Sequence, residues 1–409
     1  MERKVNTVYL TRGMYVSSLD RPWMDTPFLM QGFVITDKSD IDALKKYCDY
    51  VVIDTSRGVE AASYVSDETA LPTNQRLEKY LSGAQEPQVS YVDECTTEEE
   101  LPIARVCLDE AGAQIEDVLN SLRQGKKLDI NSVKTAVEPV INSVIRNPEA
   151  LMWLTQLRDK SQYTYTRSLD NCALAIAFGR HMGLPKKDLR TLAIGHLLMD
   201  TGMVRIDNKI LNKQTPLTEA EFEQIKKHVD YSVDILSDTA GIDLDIINIA
   251  LTHHERFDGS GYPAGLVGNQ VPVYGRMAAI IDCYDAMTSQ RAYCKPMSPH
   301  RVLQQIYNWR NTYFQDELVE QFLQCLGVYP TGSLVEMTTG EVGIIVSQNR
   351  TRRLRPKVML LLDSSKQAYI EYRTIDLLDH ISDDTGHELN ILHGLDPGAF
   401  GIDPTEFYL

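Results

Sequence analysis

The sequence predicts a multidomain protein: a small α/β N-terminal domain, an all-α helical bundle and a small C-terminal β module. Three observations predict it. Short β-branched and aromatic runs crowd residues 4–57. From residue 98 to 327 the apolar positions recur at helical spacing, and after that the period changes to that of short strands. At 409 residues the chain is also too long for one ordinary core.

Residues 1–60 read as the α/β domain. VNTVYL, GMYVSSL, GFVIT and YVVIDT are its strands, and SDIDALKKYC is its helix, capped by Asp37 or Ser39. Trp23, Pro27 and Phe28 read as core or turn residues rather than a partner-binding lip. Residues 61–97, broken by Pro72 and Pro87 and ending in an acidic run, read as a linker with a solvated end. Residues 98–327 are the bundle. Its first helix puts Ile103, Val106, Cys107, Ala111, Ile115, Val118, Leu119 and Leu122 on one stripe. Helices then divide at Asn147-Pro148, and further ones cover 163–183, 188–203, 243–254, 272–289 and 299–326. Thr218 and Glu221 form a capping box before a helix leading to His228. Residues 328–380 form the β-barrel-like module and 381–409 an acidic tail.

Composition narrows the function. A net charge of −16 argues against nucleic acid, because binding a phosphate backbone needs a basic surface. The seven cysteines are dispersed without CxxC spacing, which points to free thiols and a cytoplasmic location. No apolar stretch reaches the roughly 18 residues of a membrane span, so no membrane insertion is expected.

Chemistry concentrates between Asp188 and Asp282. Six of the nine histidines lie between positions 181 and 300. HLLMDTGM, IKKH, LTHHERFDGSGYP and AAIIDCYDAMTS bring Asp200, His228, His253, His254 and Asp282 into one domain. Three imidazoles with carboxylates suit a divalent transition metal: Fe, Mn, Zn or Ni. A buried Asp200 needs a cation or donors. His253 and His254 reach one ion only where their helix unwinds, which the glycines of DGSGYP permit.

These segments resemble the HD-GYP family, the branch of the HD metal-dependent phosphohydrolases that hydrolyses cyclic di-GMP. The resemblance covers about 160–326, through HHERFDGSGYPAGL, DCYDAMTSQRAY and KPMSP. Residues 4–57 more weakly resemble a domain of unknown function that precedes HD-GYP domains in one bacterial subgroup. The resemblance implies that Asp200, His228, His253, His254 and Asp282 are metal ligands, with Asp200 catalytic if the site is active. It implies substrate contacts at Tyr262, Asp285, Arg291 and Lys295, beside the less usual Gln290 and Cys294. It implies docking of diguanylate cyclase partners at Gly261, Tyr262 and Pro263.

Three positions depart from the family's pattern. Arg167 stands where an early His belongs, Met199 replaces the His paired with Asp200, and Met203 replaces a Lys that approaches the substrate phosphate. Thioether is a poor ligand for such metals. One metal site therefore keeps its ligands and a neighbouring one loses them, which predicts one metal per chain. Arg167 is expected to fill the vacated site, pairing with Asp200 and Asp282. A competing expectation has His196 replace the lost imidazole. The reading is a degenerate HD-GYP protein that binds cyclic di-GMP or partner proteins with weak or no phosphodiesterase activity. The alternative is an active enzyme with an atypical metal centre. Long helices between 98 and 160 make a homodimer plausible.

Overall fold

The computed structural model describes residues 2–7, 10, 12–21, 26, 28, 32–36, 38–48, 50–54, 73–81, 89–157, 164–211, 213, 215–289, 296–349, 352, 354–379 and 388–402. The chain divides into two compact units, Met1–Arg76 and Leu77–Leu409.

The first unit holds β1 (Glu2–Asn6), β2 (Tyr15–Leu19), β3 (Phe33–Val34), α1 (Lys38–Tyr47) and β4 (Tyr50–Asp54). The strands form an antiparallel sheet in the order β1-β4-β2-β3. Alternation along β4 turns Val51 and Ile53 inward against Val16, Ile35 and Leu44. Two local expectations shift. The first strand starts at Glu2, ahead of VNTVYL. Ser39 lies inside α1, and Asp40 accepts the Thr36 N–H at 2.8 Å. Asp37, Trp23 and Pro27 lie outside the described residues, as does most of 55–88.

The segment expected to be a linker contains a helix, α2 (Thr73–Leu81), whose Leu77 is buried in the main core. The bundle follows as α3 (Thr97–Arg123), α4 (Ile130–Arg146), α5 (Pro148–Leu157), α6 (Thr164–His181), α7 (Lys186–Leu198), α8 (Asn208–Leu211), α9 (Glu219–Lys226), α10 (His228–Ser237), α11 (Leu244–Thr252), α12 (Val273–Thr288), α13 (Pro299–Asn308) and α14 (Asp316–Leu326). Among the described residues no helix is long and apolar enough to cross a membrane.

The start of α3 corrects the sequence reading twice. Its acidic run is structural rather than merely solvated. Thr96 and Glu99 form a capping box, and the buried Glu100 accepts from Ser143 at 2.7 Å and from Arg146 at 2.7 and 2.8 Å. That ion pair turns the helix so that Glu100, Ala104, Leu108, Ala111 and Ile115 face inward. Ile103 and Val106, placed on the stripe by periodicity, are 49% and 54% exposed.

After the bundle come β5 (Leu334–Met337), β6 (Val342–Ser347), β7 (Lys357–Leu362), β8 (Ala368–Asp376) and β9 (Ile391–Gly394). They form an antiparallel sheet in the order β8-β7-β6-β5-β9. The supposed acidic tail thus contributes a strand, and its Leu389 and Ile402 are buried. One sheet face carries Val335, Met337, Ile345 and Leu360, whereas Leu334, Val342, Ile344 and Leu361 join the helical core. Burial on both faces explains the nearly unbroken apolar runs VGIIV and VMLLL.

Candidate metal centre

The helix that carries His196 is shorter than expected. It stops at Leu198, with Met199 as C-cap, so Asp200 and Met203 do not extend a helical face. Asp200 instead starts a 3-10 turn, Thr201–Arg205. Gly202 is what lets this turn seat against α10. A Cβ there would lie 2.1 Å from the His228 carbonyl oxygen and 2.5 Å from the Ser232 nitrogen. The Gly202 N–H donates to Ser232 Oγ at 2.8 Å.

Three donor atoms converge beside this turn. His228 Nε2 lies 3.4 Å from His253 Nε2 and 3.3 Å from Asp200 Oδ1, and His253 Nε2 lies 3.6 Å from the same oxygen. An ion with bonds of about 2.0–2.2 Å in tetrahedral array has ligand edges of roughly 3.3–3.6 Å. The triangle therefore fits a first-row divalent metal. His228 Nδ1 is bonded to Ile225 O at 2.7 Å and His253 Nδ1 to Ala250 O at 2.8 Å. Each carbonyl accepts from Nδ1–H, leaving the Nε2 lone pair for an ion. His254 completes a group of four whose donor atoms all lie within 4.8 Å of one another. The required unwinding occurs: α11 ends at Thr252, His253 is its C-cap and His254 lies beyond.

The charges around these donor atoms suit a cation. Burial opposes the Asp200 charge, but His228 and His253 outweigh it and hold the carboxyl well below its usual range. Burial, with His253 and His228 adding to it, holds the His254 imidazole well below its ordinary value and hence neutral. Metal ligation needs neutral imidazoles.

Next to this group the chemistry changes. Arg167 on α6 donates its NH2 to Asp282 Oδ1 at 3.0 Å and its Nε to Asp285 Oδ2, both acids standing on α12. Asp282 was expected as a partner; the second acid is Asp285, not Asp200. The reason is spacing. Residues 282 and 285 are three apart on one helix and face Arg167 together, while Asp200 is turned to the imidazoles. Burial disfavours the guanidinium charge, but Asp285, Asp282 and Asp200 overcome it and raise the pKa above its already high value. Asp282 also faces His254, its Oδ2 lying 3.7 Å from Nδ1. Asp285 is further bonded to Ser289 Oγ at 3.0 Å.

His196 does not replace the lost imidazole. Its Nδ1 bonds back to Leu192 O at 2.8 Å, because the end of α7 leaves the ring inside the core, and it is not among the four clustered ligands. Burial lowers its pKa to about 4. Met199 is buried and Met203 half-buried. Arg291 and Lys295, with Gln290 and Cys294, lie outside the described residues.

The loop after His254 is held by a residue not singled out from the sequence. Glu255 is buried, and its carboxylate accepts the N–H groups of Ala264 at 2.7 Å and Leu266 at 3.1 Å. Gly261 packs on it, where a Cβ would sit 2.5 Å from the Glu255 Cα. Tyr262, on a cis bond to Pro263, stacks on His254 at 4.7 Å between ring centroids. Phe222 meets Tyr262 edge-on at 6.3 Å, and Lys226 Nζ sits 5.0 and 5.2 Å from these two rings. The helical spacing of Phe222 and Lys226 was a readable signal. For Glu255 the signal was a lone acid before a glycine-rich loop whose N–H groups need acceptors.

Comparisons find three families in order along the chain, the first of them running past residue 60 into α3 and α4. Residues 2–133 match the family model "Domain of unknown function (DUF3391)", residues 150–318 match "HD domain", and residues 334–382 match "KOW domain associated with HD domain". A cyclic di-GMP phosphodiesterase of Pseudomonas aeruginosa is 30% identical over 379 residues, covering 92% of this chain and 89% of that protein. A cyclic di-GMP phosphodiesterase of Thermotoga maritima is 34% identical, covering 43% of this chain and 48% of its own. A cyclic di-GMP phosphodiesterase response regulator of Xanthomonas campestris is 29% identical, covering 50% and 52%.

Proposed function

Because the chain belongs to the HD-GYP family of HD-domain proteins, we propose that it is a single-metal member of cyclic di-GMP signalling with weak or no phosphodiesterase activity. The observation that carries this reading is the ion pairing of Arg167 with Asp282 and Asp285 beside an intact imidazole group. Asp200, His228, His253 and His254 would hold one Fe, Mn, Zn or Ni ion. Such an ion, when bound, supplies Lewis-acid polarisation of a phosphoryl oxygen. The rest falls to the chain. Arg167 neutralises Asp282 and Asp285, so Asp282 would not be left free to hold a second ion. Met203 offers no charge to a phosphate. Arg291, Lys295 and Tyr262, which stacks on His254, are the candidates for ligand contact. With one metal position and the phosphate cation gone, the loss in transition-state stabilisation amounts to several kcal/mol, or orders of magnitude in rate.

Gly261, Tyr262 and Pro263, with the 44% exposed Phe222 beside them, form the surface proposed to meet diguanylate cyclase domains. A second reading, an active phosphodiesterase with an atypical centre, is favoured by the completeness of the four-ligand group. The deciding experiment measures cyclic di-GMP binding and turnover by protein loaded with Mn, Fe, Zn or Ni. Binding with turnover far below that of its relatives is expected. Turnover at their level, lost in His253→Ala, would establish the second reading instead.

A further inference from the structure

Beside the metal centre, α9 turns Phe222 and Lys226 toward Tyr262, as residues four apart share one helix face. Lys226 Nζ stands 5.2 Å from the centre of the Tyr262 ring and 5.0 Å from that of Phe222, within cation–π range of both. Tyr262 in turn stacks on His254, one of the four clustered ligands. Burial, then Asp282, Asp200 and Glu223, push the Tyr262 hydroxyl pKa up, which sets the phenol between the acids of the centre and Glu223 at the rim. Lys226 therefore lies one aromatic ring away from the ligand cluster. Two other cations near this centre have fixed partners. Arg167 pairs with Asp282 and Asp285, and Arg256 bonds to the Glu255 carbonyl oxygen at 3.2 Å and stands over the Phe314 ring. Lys226 has an exchangeable one. Its Nζ meets Glu223 at 2.7 Å, with side chains 29% and 64% exposed. An ion pair so open to water contributes little, and a ligand phosphate can take its place.

We infer, resting on the reading that the chain binds cyclic di-GMP, that Lys226 is a ligand-binding residue that exchanges Glu223 for a phosphate of the bound nucleotide. A cyclic dinucleotide carries two phosphodiesters separated by nucleosides, so a single metal position cannot hold both. With one phosphate at the Asp200 group, Lys226, beside Tyr262, takes the other through a charge-assisted hydrogen bond. It thereby supplies to binding the phosphate cation that position 203 lacks as Met203.

Calorimetric titration of the full chain, loaded with Mn, with cyclic di-GMP tests this. Lys226→Gln should weaken binding about tenfold or more, and Lys226→Arg by less than about threefold. Glu223→Gln, which frees the lysine, should bind as tightly as wild type or up to about threefold tighter. Metal content should be the same in all four proteins, because the His228 ring is held by the Ile225 carbonyl rather than by the Lys226 side chain. A wild type that does not bind the nucleotide overturns both this inference and the reading beneath it. Binding that persists unchanged in Lys226→Gln overturns the inference alone. So does Glu223→Gln weakening binding as much as Lys226→Gln, which would mean that the pair acts by holding α9 in place. Metal loss in Lys226→Gln also overturns it, by tracing the effect to His228.

Discussion

Two neighbouring groups at one end of the bundle deal with buried acid in opposite ways. Asp200 is faced by His228 and His253, whose Nε2 atoms close a triangle sized for an ion. Asp282 and Asp285 are faced by Arg167, a cation that belongs to the chain. A metal can be exchanged, removed or replaced, whereas a guanidinium is permanent and has no open position for an incoming oxygen. The first arrangement offers chemistry, and the second offers only charge balance. Arg167, Met199 and Met203 together separate them.

The sharpest way to break this contrast is to convert the second group into the first. The triple variant Arg167→His, Met199→His, Met203→Lys is expected to raise metal content from about one to about two ions per chain. It should raise cyclic di-GMP turnover by about two to three orders of magnitude. Metal analysis and turnover measured on the same sample check both halves. Two ions without faster turnover would mean that some other element limits the chemistry.

The next effect falls on the first group alone. His228→Ala or His253→Ala should reduce metal affinity by more than about 100-fold, whereas Met199→Ala should leave it unchanged. Titration with a chromophoric chelator measures this. Retention of the ion in His253→Ala would remove the triangle as the binding site.

Much of this was legible in the sequence, for identifiable reasons. The double histidine before DGSGYP and the capping box at Thr218 fix local geometry through neighbours only a few residues away, and both appear as expected. What depended on tertiary contacts was read less well. Periodicity put Ile103 and Val106 inside, because nothing local reveals that Glu100 meets Arg146. The partner of Arg167 was misassigned in part, since Asp200 and Asp285 are both acids and only the end of α7 decides which one faces the imidazoles. Helix α2 was missed because it is short and polar, and strand β9 because it has only four residues; each is held by packing from elsewhere.

Stability gives a smaller but direct measure of the second group. Arg167→Met leaves Asp282 and Asp285 on one helix face without their cation. Breaking a fully buried pair costs about 3–5 kcal/mol. Arg167 is one-third exposed, so solvent screening reduces the expected loss to about 1–2 kcal/mol. Urea unfolding measures it. Added Mn should stabilise Arg167→Met by more than it stabilises wild type, because only the variant adds an uncompensated acid pair to the His228 group. Equal stabilisation of both would show that the ion acts only through the His228 group.

The smallest effect lies where the two groups meet the surface. His254 stacks under Tyr262 and faces Asp282, so the loop held by Glu255 sits over both groups. Glu255→Gln keeps one acceptor oxygen but turns an amide NH2 toward a backbone N–H that previously had a partner. The loss is that of one hydrogen bond to a charged acceptor, about 1.5–3 kcal/mol locally, offset in part by the lower cost of burying a neutral group. A net loosening of about 1 kcal/mol corresponds to a five- to tenfold faster amide exchange at Ala264 and Leu266. Metal content should not change, because the His228 and His253 rings are oriented by the carbonyls of Ile225 and Ala250 rather than by this loop. Unchanged exchange would mean that the packing of Gly261 against Glu255, not the carboxylate, holds the loop over His254.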